Sequence, residues 1–307
     1  MSPPFGILNL HKPAGQTSRQ ALDRVTRLFQ PAKVGHAGTL DPLATGVLVA
    51  CVGQATRLIE AVQNMPKTYL ADFLLGCHSE SDDIETQVTK LENAARPTPA
   101  ELAELLPRFV GEILQTPPQY SAIKVNGRRA YKIARKGRVV KLTARPIMIH
   151  QLRITHYEFP RLQLEIQCGS GTYVRALGRD LAAAAGTSAV MSALIRSAIG
   201  PYHLSGSILP DNLTCQNIHQ VLLPAQTALP KSPRVTLTAA EMRQILDGQS
   251  LCQLQNSLTP PTPAATIMAE DDQGRLFAIL RQEGGIFTVK MVFPPAEMLP
   301  LSARGEK

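Results

Sequence analysis

Asp41 is the only acidic residue between Asp23 and Glu60, and the same interval carries Arg24, Arg27, Lys33, His36 and Arg57. It sits inside Gly35-His-Ala-Gly-Thr-Leu-Asp-Pro-Leu-Ala-Thr-Gly46. Glycines at 35, 38 and 46, with Pro42, mark a shaped loop rather than a helix or strand. A lone carboxylate on a stiffened loop can act as a nucleophile that splits one hard step into two easier ones. Glycoside hydrolysis would need a second carboxylate flanking the bond, and none accompanies Asp41 in sequence, although a distant one in space remains open. Asp-Pro is also an ordinary turn-opening pair, whose Asp bonds its own backbone. The loop has neither G-x-G-x-x-G nor G-K-[ST], so it does not read as a phosphate cradle.

A second feature lies between Ile113 and Tyr157. This stretch holds ten Lys or Arg residues and no Asp or Glu, with Tyr120 and Tyr131 interleaved. Solvated faces normally mix signs because like charges repel. A one-sign block with aromatics suits phosphate contact and base stacking; a merely solvated basic loop is the plainer alternative. The formal charge of +8 over the 307 residues points the same way, toward a polyanionic partner. The five cysteines are scattered without a C-x-x-C pair, and the histidines lack metal-ligand spacing, so neither a zinc site nor a disulfide framework is expected. Reduced thiols fit the cytoplasm. No signal peptide or membrane span is read from the sequence.

These residues need elements to hold them. Phe5 to Leu10 reads as a strand, and Thr17 or Ser18 caps a helix running to about Phe29. The apolar run Val47 to Val52 predicts a buried strand directly after the Asp41 loop. Thr56 to Val62 reads as helix and Tyr69 to Leu75 as strand. The acidic stretch Ser79 to Glu92 is expected to be exposed. Thr98-Pro-Ala-Glu101 forms a capping box that starts a helix to about Phe109. Asn126-Gly127 signals a hairpin turn within the basic block. Arg145 to Tyr157 and Arg161 to Cys168 are adjoining strands around Pro160. A helix from Tyr173 to Ala185 ends at Gly186. Prolines accumulate between Leu209 and Lys231, and a boundary is placed near 230. Beyond it a capping box at Thr238 to Glu241 starts a helix stopped by Gly248. Pro260 to Pro263 is a loop, and three alternating segments, 265–269, 276–280 and 286–293, follow.

The twelve-residue Asp41 string resembles the active-site loop of the TruB family of pseudouridine synthases, bacterial enzymes that make pseudouridine-55 in tRNA. Further segments carry the resemblance in order: Lys12-Pro-Ala-Gly-Gln-Thr-Ser18, Lys67-Thr-Tyr-Leu-Ala71, the run from Gln115 to Gly127 with Arg129-Ala-Tyr131 and Ala134-Arg135, and Gly171-Thr-Tyr-Val-Arg-Ala-Leu177. Together they cover about residues 6 to 200.

The resemblance implies an α+β catalytic domain over 1–230, built around a mixed, mostly antiparallel sheet with flanking helices. It also implies a basic insertion at about 117–146 that grips RNA, and a small β-rich PUA-like domain over 231–307. The cleft is expected across the sheet, with the Asp41 loop and the insertion on opposite rims. Asp41 is implied as the nucleophile and Arg175 as the cation that aims it. Tyr69 and Tyr173 are implied to line the uracil pocket, Tyr69 with a share in catalysis. Leu194 would be an apolar wall and His36 a filler beside the flipped nucleotide. Lys12 falls in the first motif, either on RNA or bracing the loop. Arg128, Arg129 and Lys132 are the expected phosphate grip. The acidic segment matches the family pattern only loosely, with Thr86 in place of a glycine, and its role is left open.

The implied reaction isomerises a flipped-out uridine in the T-stem-loop of tRNA. It needs no redox cofactor, because atoms and electrons balance between substrate and product, and the lack of a dinucleotide or metal pattern in the sequence agrees with an expectation of no cofactor. A monomer without an obligate protein partner, away from membranes, is expected. Two rivals remain: the catalytic subunit of a guide-RNA particle, and a non-catalytic RNA-binding or RNA-folding module.

Overall fold

A computed structural model describes residues 5–121, 123–125, 127–130, 133, 140–254, 266–295 and 298. Strands β1 (Gly6–Lys12), β2 (Val34–His36) and β3 (Thr45–Val52) open the chain, with helix α1 (Ser18–Leu28) between the first two. Thr17 caps α1 in a full capping box with Gln20, which satisfies backbone donors the helix cannot satisfy itself. The apolar run in β3 is buried on both faces. Val47, Val49 and Cys51 enter one core, while Leu48, Ala50 and Val52 enter another beneath α1. That two-sided burial is why the strand reads as continuous rather than alternating.

A 3-10 turn, Gly53–Leu58, and helix α2 (Ile59–Gln63) lead into β4 (Lys67–Leu75). The short pair β5 (Cys77–His78) and β6 (Thr89–Lys90) follows, then α3 (Pro99–Leu105) and β7 (Gly111–Gln115). Strand β8 (Lys124–Val125) pairs antiparallel with β9 (Arg128–Arg129), while Asn126 of the turn expected at Asn126-Gly127 lies outside the described residues. Then come β10 (Arg145–Glu158), β11 (Arg161–Cys168), α4 (Val174–Ala184), β12 (Ala189–Ile199) and β13 (Tyr202–His203).

The main sheet runs β1-β3-β12-β4-β11-β10-β7, with β2 on β3 and β13 on β12. Every pairing in it is antiparallel except β12 with β3. In β4, alternate residues Tyr69, Ala71, Phe73 and Leu75 face the largest core, where α4 packs. The approach is close: a Cβ on Gly178 would fall 2.0 Å from the Phe73 ring.

The central strand β12 is absent from the sequence reading. Two register shifts, between Met191 and Ala193 and between Arg196 and Ala198, break its alternation. The acidic segment is a second correction. It was expected to be exposed, but Ser79, Ser81 and Asp83 are buried.

Short helix α5 (Ile218–Val221) precedes a second sheet, β14 (Arg234–Thr236), β15 (Thr266–Glu270), β16 (Leu276–Glu283) and β17 (Ile286–Val292), with α6 (Ala239–Leu246) started by a capping box at Thr238. This sheet shares a core with the first. Met268, Leu276, Ile279 and Phe293 pack with Ile7, Val47, Val49 and Ile199. Phe293 stacks on Phe5 at 5.4 Å between ring centres, and the Arg57 guanidinium lies 5.1 Å over the same ring. The loop expected at Pro260 to Pro263 lies outside the described residues.

Candidate active site

The loop bearing Asp41 is fixed at every turn. Gly38 and Gly46 take positive φ, 102° and 104°, where a side chain would be strained. Ser18 Oγ accepts from the Leu40 N–H at 2.8 Å, and Leu40 and Ala44 are buried. Beneath the loop the Lys12 ammonium donates to three carbonyls: Pro13 at 2.8 Å, Gln16 at 2.6 Å and Pro42 at 3.2 Å. Lys12 is wholly buried, and burial lowers its pKa to about 8. Substrate contact through Lys12 is therefore corrected to a bracing role, because its donors face carbonyls and no surface reaches RNA.

Arg175 lies in the first turn of α4. The Gln115 side chain holds that turn by accepting from the Tyr173 N–H at 2.8 Å and donating to its carbonyl at 3.1 Å. The guanidinium joins three segments. Its Nε pairs with Asp41 at 3.1 Å, its Nη1 donates to the Ser81 carbonyl at 2.8 Å and stands 3.1 Å from Asp83, and its Nη2 donates to the Tyr120 carbonyl at 3.1 Å. Nearly buried itself, Arg175 thus serves two carboxylates. The Asp41 side chain remains 37% exposed, toward the cleft. Burial pushes its carboxyl above the ordinary value, Arg175 opposes that shift, and the like charge of Asp83 adds to it.

The cleft beside Asp41 has a volume of about 290 Å³ and is lined by Tyr69, Tyr173, Leu194, Lys67, Tyr120 and Arg196, among others. Tyr69 is buried, and burial raises its pKa while the positive charge of Arg196 opposes the change. Tyr173 is half-buried at the α4 cap, its pKa raised by burial. Leu194 is at once cleft wall and core, on β12 opposite Ala71 of β4. The structure thus brings Asp41, Arg175, Tyr69, Tyr173 and Leu194 to one place.

His36 ends β2 and does not line the cleft; burial beside Arg196 lowers its pKa and favours the neutral ring. Arg128 and Arg129 form β9, while Lys132 lies outside the described residues.

Sequence reading did not name Arg196, and it gave Asp83 and Lys67 no role in the site. Arg196 is almost completely buried, and donates from Nε to the Val47 carbonyl at 2.7 Å and from Nη2 to the Gly38 carbonyl at 3.1 Å. It therefore clamps both limbs of the Asp41 loop. The available signal was a charge inside the apolar run Ala193-Leu-Ile-Arg-Ser-Ala-Ile199, since such a charge must find partners. Lys67, pKa lowered to about 8 by burial, donates to the carbonyls of Gln63 at 2.6 Å and Met65 at 2.9 Å. Among the described residues no cluster of His, Cys, Asp and Glu could hold a metal ion, and no helix is long and apolar enough to cross a membrane.

Residues 26–174 match the family described as TruB family pseudouridylate synthase (N terminal domain). A protein named tRNA pseudouridine synthase B from Rhodopirellula baltica is 35% identical over 97% of this chain and 97% of its own length. One of the same name from Synechocystis is 39% identical over 88% of this chain and 91% of its own. Among solved structures, a chain of a Cbf5-Nop10-Gar1 complex superposes with a TM-score of 0.71 at 22% identity, covering 95% of this chain and 85% of that one. At that identity the likeness establishes the fold alone: a pseudouridine-synthase α+β sheet with a small PUA-like β unit.

Proposed function

This chain belongs to the TruB family of pseudouridylate synthases, and we propose that it converts one uridine in the T-loop of tRNA, position 55, to pseudouridine with Asp41 as nucleophile. The reaction breaks the N1–C1′ bond and forms C5–C1′. The C5 proton leaves and N1 gains one, so the uridine and its product are isomers. Asp41 would attack either the sugar C1′ or the uracil C6; both routes need an ionised, aimed carboxylate. The observation that carries the reading is the Arg175–Asp41 contact at 3.1 Å beside a cleft whose lining includes Tyr69 and Tyr173.

In this reading one tyrosine stacks on the extruded base, and Tyr173 offers its hydroxyl as a proton relay. Leu194 closes the apolar side, and His36 fills space near the flipped nucleotide. Arg128, Arg129 and Lys132 hold phosphates. We assign residues 1–230 to catalysis, with the insertion at 117–146, and 231–307 to a PUA-like unit, in a monomer acting in the cytoplasm. The basic insertion favours a stand-alone enzyme over a guide-dependent subunit, because a guided enzyme needs less grip of its own.

The test is to incubate the pure chain, without any guide RNA, with an unmodified tRNA transcript and map pseudouridine. A single modified uridine in the T-loop is expected, and a minimal T-stem-loop should also react. The same sequence locked in a perfect duplex should not, because extrusion from a regular stack costs a few kcal/mol. Modification only when a guide RNA is added would assign the chain to the particle instead.

A further inference from the structure

Helix α4 carries a second arginine one turn beyond Arg175, on the same face. Its contacts fall on two of the three segments that Arg175 joins. Arg179 Nη1 pairs with Asp82 at 2.8 Å, and its Nη2 donates to the Thr116 carbonyl, at the root of the basic insertion, at 3.0 Å. Its Nε also meets the neighbouring Asp180 at 2.9 Å.

Asp82 is, among the described residues, the only residue other than glycine in the left-handed region, at φ 60°. L-residues are disfavoured there, Asn and Asp least. Such a turn persists only where its surroundings hold it. Two backbone hydrogen bonds pin it to the bulge of β12: the Met191 N–H donates to the Asp82 carbonyl at 3.0 Å, and the Ile84 N–H to the Met191 carbonyl at 3.2 Å. On either side of the turn, the Ser81 carbonyl and the Asp83 carboxylate both meet the Arg175 guanidinium. The reversal at Asp82 makes that double contact possible.

We propose that Arg179 is a positioning residue for the reaction: by pairing with Asp82 it holds the left-handed turn, and the turn fixes the groups that aim Arg175 at Asp41. This rests on the reading of Asp41 as the nucleophile. Arg179 is not itself a lining residue of the cleft, and the ion pair with Asp82 is the contact by which its side chain acts on the turn that holds Arg175.

Two measurements on the full chain test it. The first is the single-turnover rate on a tRNA transcript at saturating enzyme, which separates chemistry from binding. Arg179→Ala should slow it between about tenfold and about a hundredfold, the range a small misplacement can cost. Asp82→Ala should slow it more than Asp82→Gly, because glycine accepts the left-handed turn without a partner. Adding Asp82→Gly to Arg179→Ala should recover rate. The second is the titration of the Asp41 carboxyl, followed by its carbon resonance without RNA. Asp41 faces Arg175, Asp83 and Lys12. With Arg175 no longer held, the Arg179→Ala titration should move to higher pH, which a purely structural role elsewhere would not cause. A wild-type rate with an unmoved Asp41 titration in Arg179→Ala would overturn the proposal. So would a double variant no faster than Arg179→Ala. If the wild-type chain forms no pseudouridine, the proposed function fails, while the Asp41 titration still decides whether Arg179 holds the site.

Discussion

Gly46 and Arg196 face each other across the parallel pairing of β3 and β12, so close that a Cβ on Gly46 would lie 2.3 Å from the Arg196 carbonyl oxygen. The same contact lets the Arg196 side chain return beneath the Asp41 loop to the Gly38 and Val47 carbonyls. Gly46→Ala therefore meets both a backbone clash and a disfavoured φ. It should cost ~2 kcal/mol or more and lower turnover as β12 is pushed from the loop. Urea unfolding with a parallel activity assay checks both; a variant as stable and active as wild type would show that the strands separate without penalty.

Asp41→Asn keeps shape and removes the nucleophile. Turnover should vanish while the melting curve and much of the tRNA affinity remain. Full activity, with deamidation excluded by mass spectrometry, would remove Asp41 from the chemistry.

The acid limb of the rate profile should lie above the ordinary aspartate value of 3.8, since burial raises the Asp41 carboxyl. The sign follows from which form reacts. Activity needs the carboxylate, so it is complete above the raised value and lost as pH falls through it. Asp83→Asn removes a like charge that pushes Asp41 upward, so the limb should move to lower pH even as the rate drops from a less well held Arg175. Profiles of kcat/KM for the two proteins measure this; an upward move would mean that Asp83 acts chiefly by holding Arg175 in place.

Reversing Arg128, Arg129 and Lys132 to Glu should weaken tRNA binding and flatten the slope of log affinity against log salt, because fewer counterions are released. Titrations at several salt concentrations suffice. A slope equal to that of the wild type would move the phosphate grip elsewhere on the surface.

Sequence patterns disclosed what depends on neighbours in the chain. The α1 cap at Thr17, the α3 capping box, the apolar β3 and the Gly186 stop of α4 are local, and each appears where its residues predict. Asp41 and Arg175 were paired through a family resemblance, not through spacing. The misreadings share a cause. Lys12, Asp83 and Arg196 are charged, and charge in a sequence suggests solvent; all three are buried, Asp83 and Arg196 against partners far along the chain. Asp83 lies under Arg175, more than ninety residues later. β12 was hidden by its own irregularities, which also accept the backbone of the acidic segment at Met191.

The contacts of Phe293 with Phe5 and with the Arg57 guanidinium bear on how the second sheet is placed. A small appended sheet on a free linker would accept ligands over many spans. Here the second sheet shares its interior with β1 and β3, and Arg57 donates to the Val292 carbonyl and Gln54 to that of Pro294. Any RNA touched by that sheet is consequently touched at one set distance from Asp41. A ligand that engaged both the cleft and that sheet would have to match a span fixed by the packing of the two sheets, not by a linker.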